Sequence, residues 1–180
     1  MVYIILGEGF EEIEAVTPCD ILRRGGVSVQ FAAVGEQKIV TGSHGIAILA
    51  DVLASEITPT ANDTFVIPGG MGGVNSIKSN TNTLKLIEIA AKTGASLAAI
   101  CAGPSVLAQL RLIDKKHITC YPGSEYLMGG AICEADKPII SDGGLITGRA
   151  PGSAIDFGLK LLSHLKGEEL ANRIRTELVY

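Results

Sequence analysis

The chain has 180 residues, of which 47% are hydrophobic and 19% charged, and its formal net charge is −4. This length suits one domain, residues 1–180, with a sizeable core, and an acidic balance without a Lys/Arg cluster argues against a nucleic-acid partner. No apolar run approaches the ~20 residues of a membrane span, and the N-terminus lacks the basic segment of a signal peptide. We therefore expect a cytoplasmic protein with no membrane partner.

Apolar runs alternate with amphipathic segments, which is typical of α/β proteins whose parallel strands are buried on both faces. The runs predict strands at residues 2–6, 27–34, 64–67, 96–100 and near 117–120. Hairpins are predicted within 38–49 and 138–147, the second around the turn dipeptide Asp142-Gly143. Helices are predicted to end at Arg24, to span 83–92 and 105–110, and to complete the fold at 151–165.

Pro18 leaves two possibilities for the first helix, because proline inside a helix removes a hydrogen bond and kinks it. Thr17 as N-cap with Pro18 at the first helical position would start a helix there, and residues 11–16 would form a separate turn. Alternatively, one kinked helix covers both segments. The local sequence fits both arrangements.

The run 96–100 leads directly into Cys101, Gly103 and Pro104 and then into a second apolar segment. A buried strand that stops at one polar side chain and restarts as a helix is typical of a nucleophile elbow. Free N–H groups at a helix start favour an anion, so we expect the pKa of Cys101 to be lowered, and to be the lowest of the four thiols. The alternative is a buried structural cysteine, since free cysteine is often buried.

Two further features lie near predicted strand ends. Glu8, Glu11, Glu12 and Glu14 follow the first strand. Either they are acidic residues favoured by a helix N-terminus, or one of them points into the cleft where open α/β sheets bind ligands. The glycine-rich loop 68–73 lacks both a GxGxxG spacing and a P-loop lysine. It is either a plain strand-to-helix turn or a source of backbone N–H donors beside a reacting carbonyl.

The remaining cysteines, Cys19, Cys120 and Cys133, form no CxxC pair and have no histidine at ligand spacing. Scattered cysteines without a leader sequence indicate reduced thiols and no metal site. We interpret Cys19 and Cys133 as packed side chains. Cys120, which precedes Tyr121, is a candidate second redox thiol near the cleft.

Five segments together resemble the ThiJ/PfpI superfamily, most closely its branch containing the human Parkinson disease protein 7 and bacterial relatives. They are GFEEIEAV at 9–16, DILRRGG at 20–26, VIPGG at 66–70, AAICAGP at 98–104 and PGSAIDF at 151–157. The resemblance covers nearly the whole chain. It implies a flavodoxin-like α/β sandwich of three layers, with a mostly parallel central sheet, helices on both faces and a nucleophile elbow. It also implies a homodimer.

By the same resemblance, Cys101 is the reactive cysteine, Glu14 hydrogen-bonds its sulfur, and Gly70 and Ala102 supply the backbone on the oxyanion side. Arg149 belongs to a turn whose family counterpart lies close to the active site. A thiolate and a carboxylate a few ångströms apart repel, so the pair titrates as a coupled unit. We therefore expect a thiolate at Cys101 beside a protonated Glu14, a general acid next to a nucleophile.

Two residues depart from the family pattern. Tyr121 precedes Pro122 where many relatives carry a histidine, which puts the usual Cys–His arrangement in doubt, because tyrosine is a poor base at neutral pH. Ala102 stands where protease-like and amidotransferase-like relatives carry histidine, which counts against peptidase or amidotransferase activity. His44, where some relatives carry arginine, is a further candidate for the cleft.

Three functions fit these residues, in the following order. An enzyme would use Cys101 to attack an α-oxoaldehyde such as methylglyoxal, or its adducts, as a glyoxalase or deglycase without cofactor or metal. An oxidative-stress sensor would use the same thiol, which an oxidant converts to sulfinate stabilised by protonated Glu14. A chaperone-like protein, which would bind clients through exposed apolar surface, comes last, because nothing in the residues specifically points to it.

Overall fold

The computed structural model describes residues 1–180 and is built around a seven-stranded sheet. The strands are β1 (Val2–Leu6), β2 (Val29–Ala33), β3 (Ile39–Thr41), β4 (Ala47–Leu49), β5 (Val52–Leu53), β6 (Thr64–Ile67), β7 (Ser96–Ile100), β8 (His117–Ile118), β9 (Ile132–Cys133), β10 (Ile139–Asp142) and β11 (Leu145–Gly148). The helices are α1 (Glu12–Arg24), α2 (Met71–Ser79), α3 (Thr81–Thr93), α4 (Pro104–Gln109), α5 (Ala154–Lys166) and α6 (Glu168–Glu177).

The main sheet has the order β10-β11-β7-β6-β1-β2-β5, and every neighbouring pair is parallel except the β10–β11 hairpin. All four residues of β6 are buried, as a strand covered on both faces requires. The helices form two contacting groups around the sheet, α1 with α5 and α6, and α2 with α3 and α4. The predicted α/β architecture, a mostly parallel sheet with helices around it, is confirmed. None of the helices combines the length and apolarity needed to cross a bilayer.

The register of the central strands determines where the site forms. In the parallel β6–β7 pair, Val66 lies opposite Ala98 and Ile67 opposite Ala99. The chain leaving β6 at residue 68 and the chain leaving β7 at residue 101 therefore emerge side by side at the same edge of the sheet. β1, on the other side of β6, leads at this edge into the N-terminus of α1. Three strand ends thus converge at one place.

Helix α1 is continuous across Pro18, so the start at Thr17 is wrong. The helix begins after Glu11, whose carboxylate accepts a hydrogen bond of 2.8 Å from the Glu14 N–H and caps the first turn. The Pro18 backbone packs closely against Gly158 of α5, where an added Cβ would lie 3.0 Å from the Pro18 Cα. Packing of α1 on α5 therefore outweighs the local cost of the proline.

Several other boundaries differ from those predicted. The segment 151–165 begins as a 3-10 turn, Pro151–Ser153, before α5, and α6 follows, so it does not complete the fold. In the second hairpin Asp142 belongs to the strand, and the turn is made by Gly143 and Gly144, both with positive φ. The strand near 117–120 is only two residues long and pairs with β9 outside the main sheet.

Candidate active site

Cys101 occupies a strained turn between β7 and α4. Its φ is 63°, in the left-handed region that non-glycine residues rarely adopt. The Cys101 N–H donates to the Gly148 carbonyl of β11 (2.9 Å), and its carbonyl accepts from the Tyr121 N–H (3.0 Å). A side chain at Gly103 would collide with the Ile67 carbonyl, so the turn also requires glycine there. This geometry is that of the predicted elbow, and strain of this kind costs about 1–3 kcal/mol.

Glu14 reaches the sulfur from the first turn of α1. Its side chain is fully buried, and Oε2 accepts a 2.7 Å hydrogen bond from the Gly69 N–H. The carboxyl also hydrogen-bonds the Cys101 thiol. Gly69 lies against both residues, because an added Cβ would be 2.6 Å from Glu14 Oε2 and 2.8 Å from Cys101 Cβ. The loop after β6 therefore holds the carboxyl and the sulfur together, and sequence reasoning did not single out Gly69 for this role.

Two backbone N–H groups face the sulfur. Those of Gly70 and Ala102 hydrogen-bond Cys101. Gly70 has a φ of 79°, and a side chain there would lie 2.6 Å from the Glu11 nitrogen, so only glycine allows this approach to the start of α1. The structure thus brings together Cys101, Glu14, Gly70 and Ala102, the residues that the sequence pointed to.

The pKa of Cys101, which is paired with Glu14, differs from the one expected from the sequence. Burial raises the pKa of Glu14 from 4.5 to about 7, against the opposing effects of its hydrogen bonds with Cys101 and Gly69. Burial also raises the pKa of Cys101, and the Glu14 carboxylate raises it further, while the N–H groups of Gly70 and Ala102 only partly compensate. The predicted lowering of the Cys101 pKa is therefore wrong. The following helix, α4, has only six residues, and its start does not outweigh a buried neighbouring carboxylate.

The raised pKa values of Glu14 and Cys101 change which of the two groups is expected to hold a proton. The pair loses one proton near pH 7, and a second negative charge beside the first is strongly disfavoured. Near neutral pH Glu14 is poised between its two protonation states, and the thiol of Cys101 holds its own proton. Glu14 is then the acceptor of the thiol proton during attack rather than a permanent donor to a thiolate. A base with a pKa near the working pH suits that role.

We expect Glu14→Gln to increase stability at neutral pH. The folded-state pKa of Glu14 lies above its ordinary value of 4.5. Folding is therefore unaffected by this group below about pH 4 and is progressively disfavoured as the pH rises through about 7, by about 3 kcal/mol in total. Glutamine keeps the acceptor for the Gly69 N–H but carries no charge. Urea unfolding at several pH values measures the effect.

The free energy of unfolding of Glu14→Gln, relative to wild type, should increase by about 3 kcal/mol from about pH 4 to about pH 8. Glu8→Gln is the matched control, because Glu8 is an exposed carboxylate of the same segment that accepts one hydrogen bond from the Thr41 N–H. A stability difference that is independent of pH in Glu14→Gln would contradict the raised pKa.

An open cleft lies beside the elbow, with a volume of ≈ 460 Å³. Its lining comprises Tyr121, Pro122, Arg149, Ala150, Gly152 and Ser153. The Tyr121 side chain is 48% exposed, and its N–H is bonded to the Cys101 carbonyl. Arg149 follows Gly148, the acceptor for the Cys101 N–H. Tyr121 and Arg149 therefore line a cleft that adjoins the backbone of Cys101.

His44 pairs with a different glutamate. Its Nδ1 lies 2.9 Å from Glu12 Oε2, and its N–H donates to Glu12 Oε1 at 2.7 Å. Although burial opposes it, hydrogen bonding from His44 lowers the pKa of Glu12 to about 2, and the same contact raises the pKa of His44. Glu12 thus anchors the β3–β4 hairpin to α1. The predicted placement of His44 in the cleft receives no support from these contacts.

Glu11, Glu12 and His44 are close enough to share a cation, with ligand atoms within 4.8 Å of one another. Their atoms are nevertheless engaged in protein contacts. Glu11 caps α1, and both carboxylate oxygens of Glu12 accept hydrogen bonds from the hairpin. The cluster is accounted for as a structural one.

None of the chain's three histidines has Cys101 among its hydrogen-bond partners. His44 pairs with Glu12, His117 with Glu134 (2.8 Å) and His164 with Ser96 (3.2 Å). The group that is placed to accept a proton from the Cys101 thiol is therefore Glu14.

Comparison with known proteins identifies the arrangement. The DJ-1/PfpI family matches residues 1–164. Protein dj-1beta of Drosophila melanogaster is 34% identical over 98% of this chain and 95% of its own length. Its crystal structure covers 99% of this chain and 96% of its own, with a TM-score of 0.90 and 32% identity.

Two further relatives carry names relevant to chemistry. "Glutathione-independent glyoxalase DJR-1.2" of Caenorhabditis elegans is 30% identical over 93% of this chain and 89% of its own length. A structure titled "Toxoplasma gondii DJ-1, oxidized" is 32% identical and has a TM-score of 0.88, covering 99% of this chain and 97% of its own. The fold neighbours are thus alike in length as well as in architecture.

Proposed function

Because this chain belongs to the DJ-1/PfpI family, we propose that it is a cofactor-independent, cysteine-dependent enzyme of the glyoxalase or deglycase type. Its substrates are methylglyoxal-type α-oxoaldehydes or their adducts with amines and thiols. The observation that carries the proposal is the fully buried Glu14 carboxyl, with a pKa near 7, hydrogen-bonded to the elbow thiol of Cys101. The worm relative named a glutathione-independent glyoxalase supports it.

The reaction begins when Cys101 Sγ bonds to the aldehyde carbon of methylglyoxal. The thiol proton passes to the Glu14 carboxylate, and Glu14 delivers it to the carbonyl oxygen, which becomes the hydroxyl of a hemithioacetal. N–H groups of Gly70 and Ala102 hold the sulfur in position for attack. Proximity of nucleophile and base in one buried site supplies the rate advantage.

Glu14 then moves a proton between two carbon atoms. Once it has delivered that proton, Glu14 takes the hydrogen from the former aldehyde carbon and passes it to the ketone oxygen, which gives an enediol. It then takes the proton of the hydroxyl on the sulfur-bearing carbon and delivers it to the neighbouring carbon. The product is a lactoyl thioester on Cys101. Water hydrolyses the thioester to lactate, which frees the thiol, so that no electrons leave or enter. No imidazole takes part, and we do not extend the proposal to peptidase or amidotransferase activity.

The pH dependence of turnover tests this proposal. Glu14 must be ionised to accept the thiol proton, so kcat/KM for methylglyoxal should rise about tenfold per pH unit below its pKa and level off above about 7. The rate of methylglyoxal loss, followed between pH 5 and 9, measures it. Tyr121→Phe, which keeps the cleft and removes the phenol, should retain the same profile. A rate that falls as the pH rises through 7 would refute Glu14 as the base.

A second candidate function, redox sensing at the same cysteine, is favoured by one observation. Apart from its contact with the Cys101 thiol, the buried Glu14 Oε1 has no hydrogen-bond partner, so a protonated Glu14 can donate to an oxygen added to that sulfur. Two molecules of peroxide would convert the thiol to sulfinic acid and release two waters. A relative's structure titled as oxidized accords with this chemistry. The raised pKa of Cys101 slows the first step, which places this function second.

We also propose that the chain forms a homodimer through an exposed apolar face on α1, the β3–β4 hairpin and the start of α2. The hairpin is fixed to α1 by Glu12. Gly9, whose N–H donates to the Thr41 carbonyl of β3, packs against Gly72 of α2, so these elements are contiguous. The face comprises Ile13, Val16, Ile46, Leu49 and Met71, each between 44% and 72% exposed. Apolar patches of this kind mark interaction sites, and sedimentation velocity reports the oligomeric state.

A further inference from the structure

A pair of cysteines outside the active site lies where β8 and β9 run side by side. In this parallel pair, Ile118 is directly opposite Cys133. Cys120 follows Ile118 by two residues, and in an extended chain residues two apart project to the same side. The thiols of Cys120 and Cys133 are close enough for each to shift the pKa of the other. Both cysteines are free.

The two thiols have complementary properties. Cys120 is completely buried, and burial raises its pKa to about 12. Cys133 is partly exposed, and its contact with Cys120 opposes the rise in pKa that burial causes. Cys133 is therefore the thiol that meets an oxidant first, and Cys120 is placed to react with it afterwards.

Cys101 does not affect the pKa of Cys120, but the residue after Cys120 contacts the active site. Besides burial, the groups that raise the pKa of Cys120 are the Cys133 thiol and Glu125, and Cys101 is not among them. Tyr121, the next residue, donates its N–H to the Cys101 carbonyl and lines the cleft with Pro122. A covalent bond between residues 120 and 133 would close the segment that carries this wall of the cleft.

We propose that Cys120 and Cys133 form a reversible disulfide, independent of Cys101, that closes the loop beside the active-site cleft. The oxidant is a hydroperoxide such as hydrogen peroxide. The Cys133 sulfur attacks one peroxide oxygen, which gives a sulfenic acid and one water. Cys120 then attacks the Cys133 sulfur, the S–O bond breaks, and a second water leaves. Two thiols lose two electrons and two protons, and the peroxide takes up both.

Peptide mapping of peroxide-treated protein tests the proposal. Reduced wild-type protein is treated with a small excess of hydrogen peroxide, its remaining thiols are alkylated, and it is digested without reductant by a protease that cleaves after glutamate. Cleavage at Glu125 separates the two cysteines, so the disulfide appears as a pair of linked peptides that dithiothreitol separates. Cys19, buried on α1, should remain a free thiol and serves as an internal reference.

Variants distinguish the pair from the active site. Cys101→Ala keeps three of the four cysteines. The disulfide between Cys120 and Cys133 should still form in this variant, so the number of alkylatable thiols should fall from three to one. Cys133→Ser and Cys120→Ala should each abolish the disulfide. A link between Cys120 and Cys101, or undiminished alkylation of Cys120 and Cys133 in treated Cys101→Ala, would overturn the proposal. Neither result depends on whether the protein turns over methylglyoxal.

Discussion

Replacement of Cys101 by alanine is expected to lower kcat for methylglyoxal by about 10³-fold or more, because it removes the atom that bonds to substrate. The side chain is only 8% exposed and sits at the end of β7, so the loss of one sulfur leaves the surrounding sheet in place. Lactate production under saturating substrate measures the effect. Circular dichroism of the same preparation shows that the variant is folded.

Cys19→Ala is the matched control for this variant. It removes a buried thiol of similar burial, 3% exposed, on α1, and it should keep the wild-type kcat. Loss of activity in both variants would point to a general effect of removing buried sulfur. Retention of more than a tenth of the activity in Cys101→Ala would exclude Cys101 as the nucleophile.

Glu14→Gln is expected to lower kcat by about 10²–10⁴-fold while KM changes little. Glutamine fills the same volume and can accept the hydrogen bond from the Gly69 N–H, but it cannot take a proton from sulfur or carbon. Initial rates between pH 6 and 9 provide the measurement, and the residual rate should lose the dependence on pH near 7. The variant should at the same time be more stable than wild type at neutral pH.

Glu8→Gln, on the same segment but bonded to the hairpin, should retain wild-type turnover. The redox function makes a different prediction for Glu14→Gln. The glutamine amide still donates toward sulfur, so peroxide should still convert Cys101 to sulfinate. Equal turnover of methylglyoxal by wild type and Glu14→Gln would remove the enzyme hypothesis in its present form and favour the redox function.

The central strands were predictable because each is a short, largely apolar run that is followed by a glycine, a proline or a polar residue. β6 and β7 have the predicted bounds, and the elbow after β7 follows from the sequence pattern alone. Helices α2 and α6 were not predicted, for two different reasons. The start of α2 is glycine-rich, which disfavours a helix locally, and α6 buries only Ala171 and Ile174, too few residues for a clear periodic pattern.

The residues around Cys101 were predictable to a lesser degree. Local sequence does not distinguish Glu14 from Glu11 and Glu12, and only the resemblance singled it out. The structure separates them by their contacts, since Glu11 caps α1, Glu12 holds the hairpin and Glu14 alone turns to the sulfur. The pKa of Cys101 was not predictable, because it depends on how deeply the thiol and Glu14 are buried together. Desolvation is a property of the folded chain and leaves no local pattern.

Proton NMR that follows methylglyoxal and lactate together tests whether Cys101 and Glu14 form a cofactor-independent catalytic site. The protein is treated with a chelator beforehand, and no glutathione is added. Lactate should accumulate as methylglyoxal disappears, over many equivalents per chain and at a rate proportional to protein concentration. Loss of methylglyoxal that stops near one equivalent per reactive side chain, with no lactate, would contradict a catalytic site of this kind.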